Sequence, residues 1–238
     1  MKRIITGTIL ATVVMAHAGL VDNFDRADTN GSGTAVSTTI GNGWVGQDVR
    51  QWLIESQTLK SGAGAGNYIY NTNAATLNSA ADTSFTMSAL ITLNSTSVAA
   101  FGGLAVNYDS AASNGLVFRI NGEGAVQLLR PNGTQVSSGT MTETFISDRE
   151  YRMTISSDTA NSYKLEIYDT VLNTFVYTNT VVNGGGSARS DGIGGLYVNT
   201  AGIQFDNFSL VVIPEAKTLS LFLISMVGIT GRQYLLRR

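Results

Sequence analysis

What most restricts this chain is a period of two in its apolar residues. Phe85, Met87, Ala89, Ile91 and Leu93 fall on alternate positions, as do Leu116, Phe118 and Ile120, and Tyr151, Met153 and Ile155. Tyr163, Leu165 and Ile167 alternate with Lys164, Glu166 and Tyr168, giving one apolar face and one polar face. Successive side chains of a strand point to opposite faces, whereas a helix brings apolar residues together at spacings of three and four. The body of the chain keeps the first pattern and never sustains the second. One run changes phase: Ile203 and Phe205 are followed by Phe208, Leu210 and Val212. An extra residue, a β-bulge, is therefore expected across Asp206-Asn207.

Turn signals divide these runs. Gly41-Asn42-Gly43, Asn114-Gly115, Asn121-Gly122, Asn132-Gly133 and Asn183-Gly184 supply residues that tolerate the left-handed backbone of tight turns. About a dozen short strands joined by polar turns predict an all-β fold, an antiparallel β-sandwich or jelly roll. Residues 19–213 form one domain of this kind, long enough to bury a core. Ala63 to Gly66 and Gly184 to Gly186 read as loops; the second lacks the Lys-Ser/Thr and the strand-to-helix context of a phosphate loop.

The two ends follow other rules. Met1, Lys2 and Arg3 precede an apolar run from Ile4 to Met15, and Ala16-His17-Ala18 follows. A basic start, a short apolar helix and small residues three and one before the cut make a secretory signal over 1–18, removed by signal peptidase after Ala18. At the other end Pro214-Glu215-Ala216-Lys217 leads into an apolar helix from Thr218 to Ile229, then Arg232 and a terminal Arg237-Arg238. Arginines resist crossing a bilayer, so this segment enters the membrane and stops. Pro214, Glu215, Arg237 and Arg238 resemble a PEP-CTERM sorting signal, with Ala216 where that motif has its second proline. The resemblance implies an exosortase-type transpeptidase as partner and a place on the surface, or in the extracellular matrix, of a Gram-negative-type bacterium. Until processed, residues 214–238 would hold the protein in the membrane; an anchor that is never processed is the other reading.

Composition removes several chemistries. There is no cysteine, and the only histidine is His17, inside the signal segment. The domain thus has neither a Cys-His nor a Ser-His-Asp mechanism, nor the usual zinc ligands. Residues 19–213 carry nine basic and sixteen acidic side chains, a net of −7. Such a surface repels nucleic acid.

The order of short motifs carries a second resemblance. Asp22-Asn23-Phe24-Asp25-Arg26 opens the domain, and Trp52-Leu53-Ile54-Glu55 follows. Phe101-Gly102-Gly103-Leu104 and Glu150-Tyr151-Arg152-Met153 come next, and Gly192-Ile193-Gly194-Gly195-Leu196 and Phe205-Asp206-Asn207-Phe208 close it. The order is similar to that of laminin-G-like, concanavalin A-like lectin and glucanase sandwiches. That resemblance implies a surface module that binds sugars, hydrolyses them, binds calcium or has no ligand. The glucanase Glu-x-Asp-x-x-Glu motif is missing, and Asp148 and Glu150, spaced by two, read as solvated charge, so no catalytic residue is assigned.

Two non-catalytic sites remain. Asp25, Asp28, Asn30 and, across the paired first and last strands, Asp206 are hard oxygen donors suited to calcium; a stretch like the first three is more often a tight turn bonded to its own backbone. Trp44, between glycines in Gly43-Trp44-Val45-Gly46, could present its ring to a sugar, with Tyr68, Tyr70, Tyr108 and Tyr197 as further candidates. The combined expectation is a non-catalytic, carbohydrate-binding surface module with polysaccharide as partner. A structural or adhesive surface protein without a small ligand is the alternative, and a glycoside hydrolase the third class.

Overall fold

Alternation becomes strand wherever it occurs. The computed structural model describes residues 18–26, 43–46, 52–62, 67–71, 84–109, 114–130, 132–159, 162–182 and 193–213. In chain order the strands are β1 (Ala18–Asp22), β2 (Trp44–Gly46), β3 (Trp52–Glu55), β4 (Thr58–Ser61) and β5 (Asn67–Asn71). Next come β6 (Ser84–Thr92), β7 (Phe101–Asp109), β8 (Asn114–Asn121), β9 (Ala125–Leu129) and β10 (Gln135–Thr140). The last five are β11 (Glu150–Thr159), β12 (Ser162–Asp169), β13 (Thr174–Val182), β14 (Ile193–Val198) and β15 (Gln204–Ile213). No helix occurs among the described residues, so none there is long and apolar enough to cross a membrane. The expected signal helix (1–18) and C-terminal helix (214–238), with Ala16, Pro214, Glu215, Arg237 and Arg238, lie outside them. Ala18 alone is described, opening β1 opposite Val212.

The strands form two sheets. One has the order β13-β12-β11-β6-β15-β4-β3, with β1 also beside β15; the other has the order β10-β9-β8-β7-β14-β5-β2. Neighbours pair antiparallel throughout. The fold is the expected all-β sandwich, and its core lies between the inner faces. Phe85, Met87, Ala89 and Ile91 of β6 meet Tyr151, Met153 and Ile155 of β11 there, with Leu104, Phe118 and Leu196 from the second sheet. The segment from Met141 to Arg149 carries the chain from one sheet to the other. It buries Met141 and Phe145, and Phe145 stacks on Tyr151 at 5.2 Å.

The phase change near the end of the chain is a bulge, as the sequence predicts. β15 runs beside β6 but divides its other edge between two strands: Gln204 and Phe205 pair with β4, and Phe208 to Val212 pair with β1. The register slips between Asp206 and Ser209, and Asn207 takes a φ of 47°. The extra residue turns Phe208, Leu210 and Val212 back to the core after the handover.

Two of the expected turns form at their residues, whereas Asn114-Gly115 opens β8 opposite Asp109, and Gly41, Asn42, Asn183 and Gly184 lie outside the described residues. Asn121 Oδ1 accepts the N–H groups of Glu123 (3.1 Å) and Ala125 (2.8 Å), and Gly133 sits at φ 83° after Asn132. The tightest polar turn joins β12 to β13. Asp169, 1% exposed, accepts the N–H groups of Val171 and Leu172, both at 2.9 Å, on Oδ1 and the guanidinium of Arg149 at 2.8 Å on Oδ2. Burial pushes the Asp169 carboxyl up, but the Leu172 N–H, Arg149 and the Val171 N–H outweigh it and hold it below the usual carboxylate range.

A carboxyl depressed in the folded state stabilises the fold fully above its unfolded pKa of about 3.9, and that contribution disappears as pH falls through the folded value. Asp169→Asn should lower Tm at neutral pH by roughly 3–6 °C, through one lost charge-assisted bond. It should also flatten the fall in Tm between about pH 4 and 2. Thermal melts of both proteins across that range check this; parallel curves would show that Asp169 does not carry the dependence.

Candidate functional site

Trp44 is the first sequence expectation to be corrected. It is fully buried, its ring 5.5 Å from Phe24 and 5.0 Å from Phe208, and its Nε1–H donates to Asp22 Oδ2 at 2.7 Å. An indole held edge and face by core rings offers no face to a sugar. The glycine beside it serves the backbone: Gly43 has a φ of 80°, which turns the chain into β2.

The acidic corner forms in part. Because β1 and β15 pair, Asp22, Asp25 and Asp206 share one region of the sheet. Asp22 is committed to Trp44, to the Phe24 N–H at 2.9 Å and to Arg26. Asp25 accepts from the Gln57 amide, and Asp206 Oδ1 accepts the N–H of Asn207 at 2.6 Å. Burial raises the Asp206 pKa, the Asn207 N–H lowers it, and the negative charges of Asp25 and Asp22 raise it further. Among the described residues no three acidic, His or Cys side chains are gathered so as to hold a metal ion. Asp28 and Asn30 lie outside the described residues.

The clearest gathering of functional groups lies on the outer face of the second sheet. Ile69, Leu104, Phe118, Val126 and Leu196 face the core, so their neighbours in sequence face outward. Register places one outward residue per strand in a single row: Tyr68 on β5, Tyr197 on β14, Gly103 on β7, Arg119 on β8, Gln127 on β9 and Ser138 on β10. Tyr68 and Tyr197 stand 5.0 Å apart between ring centroids. Two tyrosines expected from the sequence are thus brought together; Tyr70 is half-buried and outward one pleat along, and the side chain of Tyr108 lies outside what is described.

Arg119 organises this row. Its Nε and Nη2 both donate to Gln127 Oε1, at 3.0 and 2.7 Å, and its Nη1 donates to the Tyr197 hydroxyl at 3.1 Å. Its guanidinium also lies 3.9 Å from the centroid of Phe101 and 5.7 Å from that of Tyr197, a double cation–π contact. Gly103 makes the reach across β7 possible. A Cβ there would stand 2.0 Å from the Phe118 carbonyl oxygen, so no larger residue fits without moving backbone. Tyr197 is buried, whereas Tyr68, Phe101, Arg119 and Gln127 keep part of their surface open. Sequence reasoning missed Arg119, Gln127 and Phe101; only strand register brings these distant residues into line.

The first sheet offers a different outer row: Phe175, Tyr168, Arg152, Leu90 and Asp206. Phe175 is 56% exposed and meets Tyr168 edge-on at 5.1 Å, with Arg152 5.9 Å from the Tyr168 ring. Asp148 is exposed on the turn before β11 at a φ of 61°, while Glu150 opens the strand, consistent with ordinary surface charge.

No protein-family model and no curated protein matches the sequence. Solved structures do resemble the fold. The carbohydrate-binding module CBM66 from Bacillus subtilis aligns with a TM-score of 0.54 and 16% identity, over 71% of this chain and 95% of that one. Lectin I from Ulex europaeus, in complex with the methyl glycoside of α-L-fucose, aligns with a TM-score of 0.59 and 8% identity, over 83% and 98%. The exoplasmic domain of VIP36 in its Ca2+/Man3GlcNAc-bound form aligns with a TM-score of 0.51 and 11% identity, over 72% and 83%. At such identities the likeness establishes the architecture, and this chain has the lectin-like jelly-roll β-sandwich fold.

Proposed function

We propose that this chain is an exported, non-catalytic carbohydrate-binding module that engages polysaccharide on the outer face of its second sheet. The observation that carries the reading is the cross-strand row of Tyr68, Tyr197, Arg119 and Gln127, with Phe101 beneath the guanidinium. Aromatic rings present apolar faces to the C–H faces of sugars, and a fixed arginine and amide supply hydrogen bonds to ring substituents. The similarity to lectins and a carbohydrate-binding module supports this at the level of fold. An adhesive role without a small ligand is the second reading, favoured by Val171, Leu172, Phe175 and Val182, all about half exposed or more on and beside β13.

The remaining parts of the proposal concern location and metal. Residues 1–18 direct export and are removed by signal peptidase. Residues 214–238 enter the membrane and are processed by an exosortase-type enzyme, leaving the domain on the cell surface or in the matrix. Calcium would join Asp25 and Asp206 with Asp28 and Asn30, and its charge would relieve the repulsion that Asp206 meets.

Binding is checked by a glycan array with the full chain, followed by affinity measurement on the best polymer. Tyr68→Ala should weaken binding about tenfold, the loss of one stacking contact of some 1.4 kcal/mol, and Phe175→Ala should leave it unchanged. The reverse pattern would move the site to the other sheet, and an array without any bound glycan would favour the adhesive reading.

For calcium, the raised folded pKa of Asp206 means that its ionised form disfavours the fold at neutral pH, a penalty that vanishes as pH falls through the folded value. In chelator at pH 7, Asp206→Asn should therefore raise Tm. In calcium at a hundred times its Kd, the unsubstituted protein should gain about 2.7 kcal/mol, or roughly 5–10 °C, and the variant should not. Equal melting temperatures with and without calcium would mark the corner as a solvated turn.

Location is read by N-terminal sequencing, which should begin at Gly19, and by deleting residues 214–238. The deletion should release a folded domain to the periplasm or medium; a truncated protein that misfolds would place that segment in the core.

A further inference from the structure

Arg119 is a half-buried cation whose hydrogen-bond and ring partners are all neutral: the Gln127 amide, the Tyr197 hydroxyl and the Phe101 ring. No carboxylate lies within ion-pair distance of it among the described residues. Two other arginines held by side-chain hydrogen bonds do have one: Arg26 pairs with Asp22, and Arg149 pairs with Asp169 at 2.8 Å. The domain has no shortage of carboxylates, with sixteen acidic residues against nine basic ones between 19 and 213. Removing a guanidinium from part of its water without a counter-ion is costly, and this site keeps a positive charge unneutralised in a domain whose net charge of −7 otherwise repels anions.

The guanidinium is also held ready. Of its five N–H donors, three are taken by Gln127 and Tyr197, which leaves one on each terminal nitrogen. Free N–H donors on both terminal nitrogens suit the two oxygens of a carboxylate. Tyr68 is the open ring of the same row, 5.0 Å from Tyr197 and beyond it from Arg119, so a polymer stacked on Tyr68 and following the row reaches Arg119.

From this geometry we infer that the ligand of the outer face is an acidic polysaccharide, one whose sugar rings carry a carboxylate, with Arg119 as the specificity-determining residue. A uronate polymer meets both requirements: a C–H face for Tyr68 and a planar anion for the Arg119 guanidinium. The inference rests on the reading of this face as glycan-binding and adds the charge of the glycan to it.

The test compares polygalacturonate and alginate with dextran and with fully methyl-esterified polygalacturonate, using the full chain at low and high salt. The acidic polymers should bind about ten- to a hundredfold more tightly than their uncharged counterparts, and added salt should erode that difference. Arg119→Lys keeps the charge and loses the fork, so it should retain only part of the preference. Gln127→Glu gives Arg119 an internal counter-ion; the fold should remain intact or gain stability, and the preference for acidic polymers should disappear. This variant separates the ligand's charge from the integrity of the sheet, which an Arg119 truncation alone would confuse. Binding of neutral and acidic polymers with equal affinity would overturn the inference while leaving the glycan-binding reading in place. A preference that survives Gln127→Glu would also overturn it, and binding of no glycan at all would remove both.

Discussion

One buried carboxylate joins the parts of this sandwich that the chain keeps far apart. Asp22 ends β1, is 5% exposed, and accepts hydrogen bonds from the Phe24 backbone, the Trp44 indole and Arg26. Its backbone pairs with Phe208 of β15, whose ring in turn meets the edge of Trp44. First strand, last strand and the edge strand of the opposite sheet therefore meet at a single anion. The arrangement also holds Phe24 at a φ of 53°, a region an aromatic residue avoids unless its surroundings insist. Without Asp22 an indole N–H and a guanidinium would be left among apolar rings, at about 1–3 kcal/mol for each unsatisfied group.

The outer face of the second sheet depends on that closure only at a distance, and it is built by another device. Strand register puts residues from six strands in line, and a glycine in the middle of the line leaves it without a side chain between Tyr197 and Arg119. Stacking on Phe101 and bonding to Gln127 and Tyr197 fix the guanidinium, so a ligand bound there would cost little further side-chain freedom. The same residue type is used differently at Arg149, where a buried aspartate neutralises it and the pair serves only to hold a turn. Position on the sheet and the presence or absence of a carboxylate distinguish the neutralised Arg149 from Arg119, whose partners are all neutral.

Much of the architecture was legible in the residues. Period-two alternation in Phe85 to Leu93 and Tyr163 to Ile167 becomes β6 and β12 because burying one face of a pleated strand requires it. The phase slip at Asp206-Asn207 becomes the bulge, since an added residue is the only way to return Phe208 to the core. The β3–β4 hairpin gave no such signal. Ser56 and Gln57 both take positive φ, 52° and 62°, a two-residue turn that sequence associates with Asn-Gly. Tertiary contact explains the exception: the Gln57 amide reaches Asp25, thirty-two residues away.

The candidate site shows where reading along the chain stops. Tyr68 and Tyr197 could be singled out as aromatic residues near strands, but nothing local distinguished them from Trp44, which proved to be core. Arg119 and Gln127 had no mark at all, and Phe101 was marked only as part of a fold motif. Local composition determined that strands form, which faces they bury, where some of them turn and that the domain lacks histidine and thiol chemistry, because each of these depends on neighbours within a few residues. Which outward side chains share a row, which aspartate is buried and which arginine is left without a counter-ion depend on strand register and sheet order. Those are set by long-range packing of the whole core, so only the tertiary structure decided them.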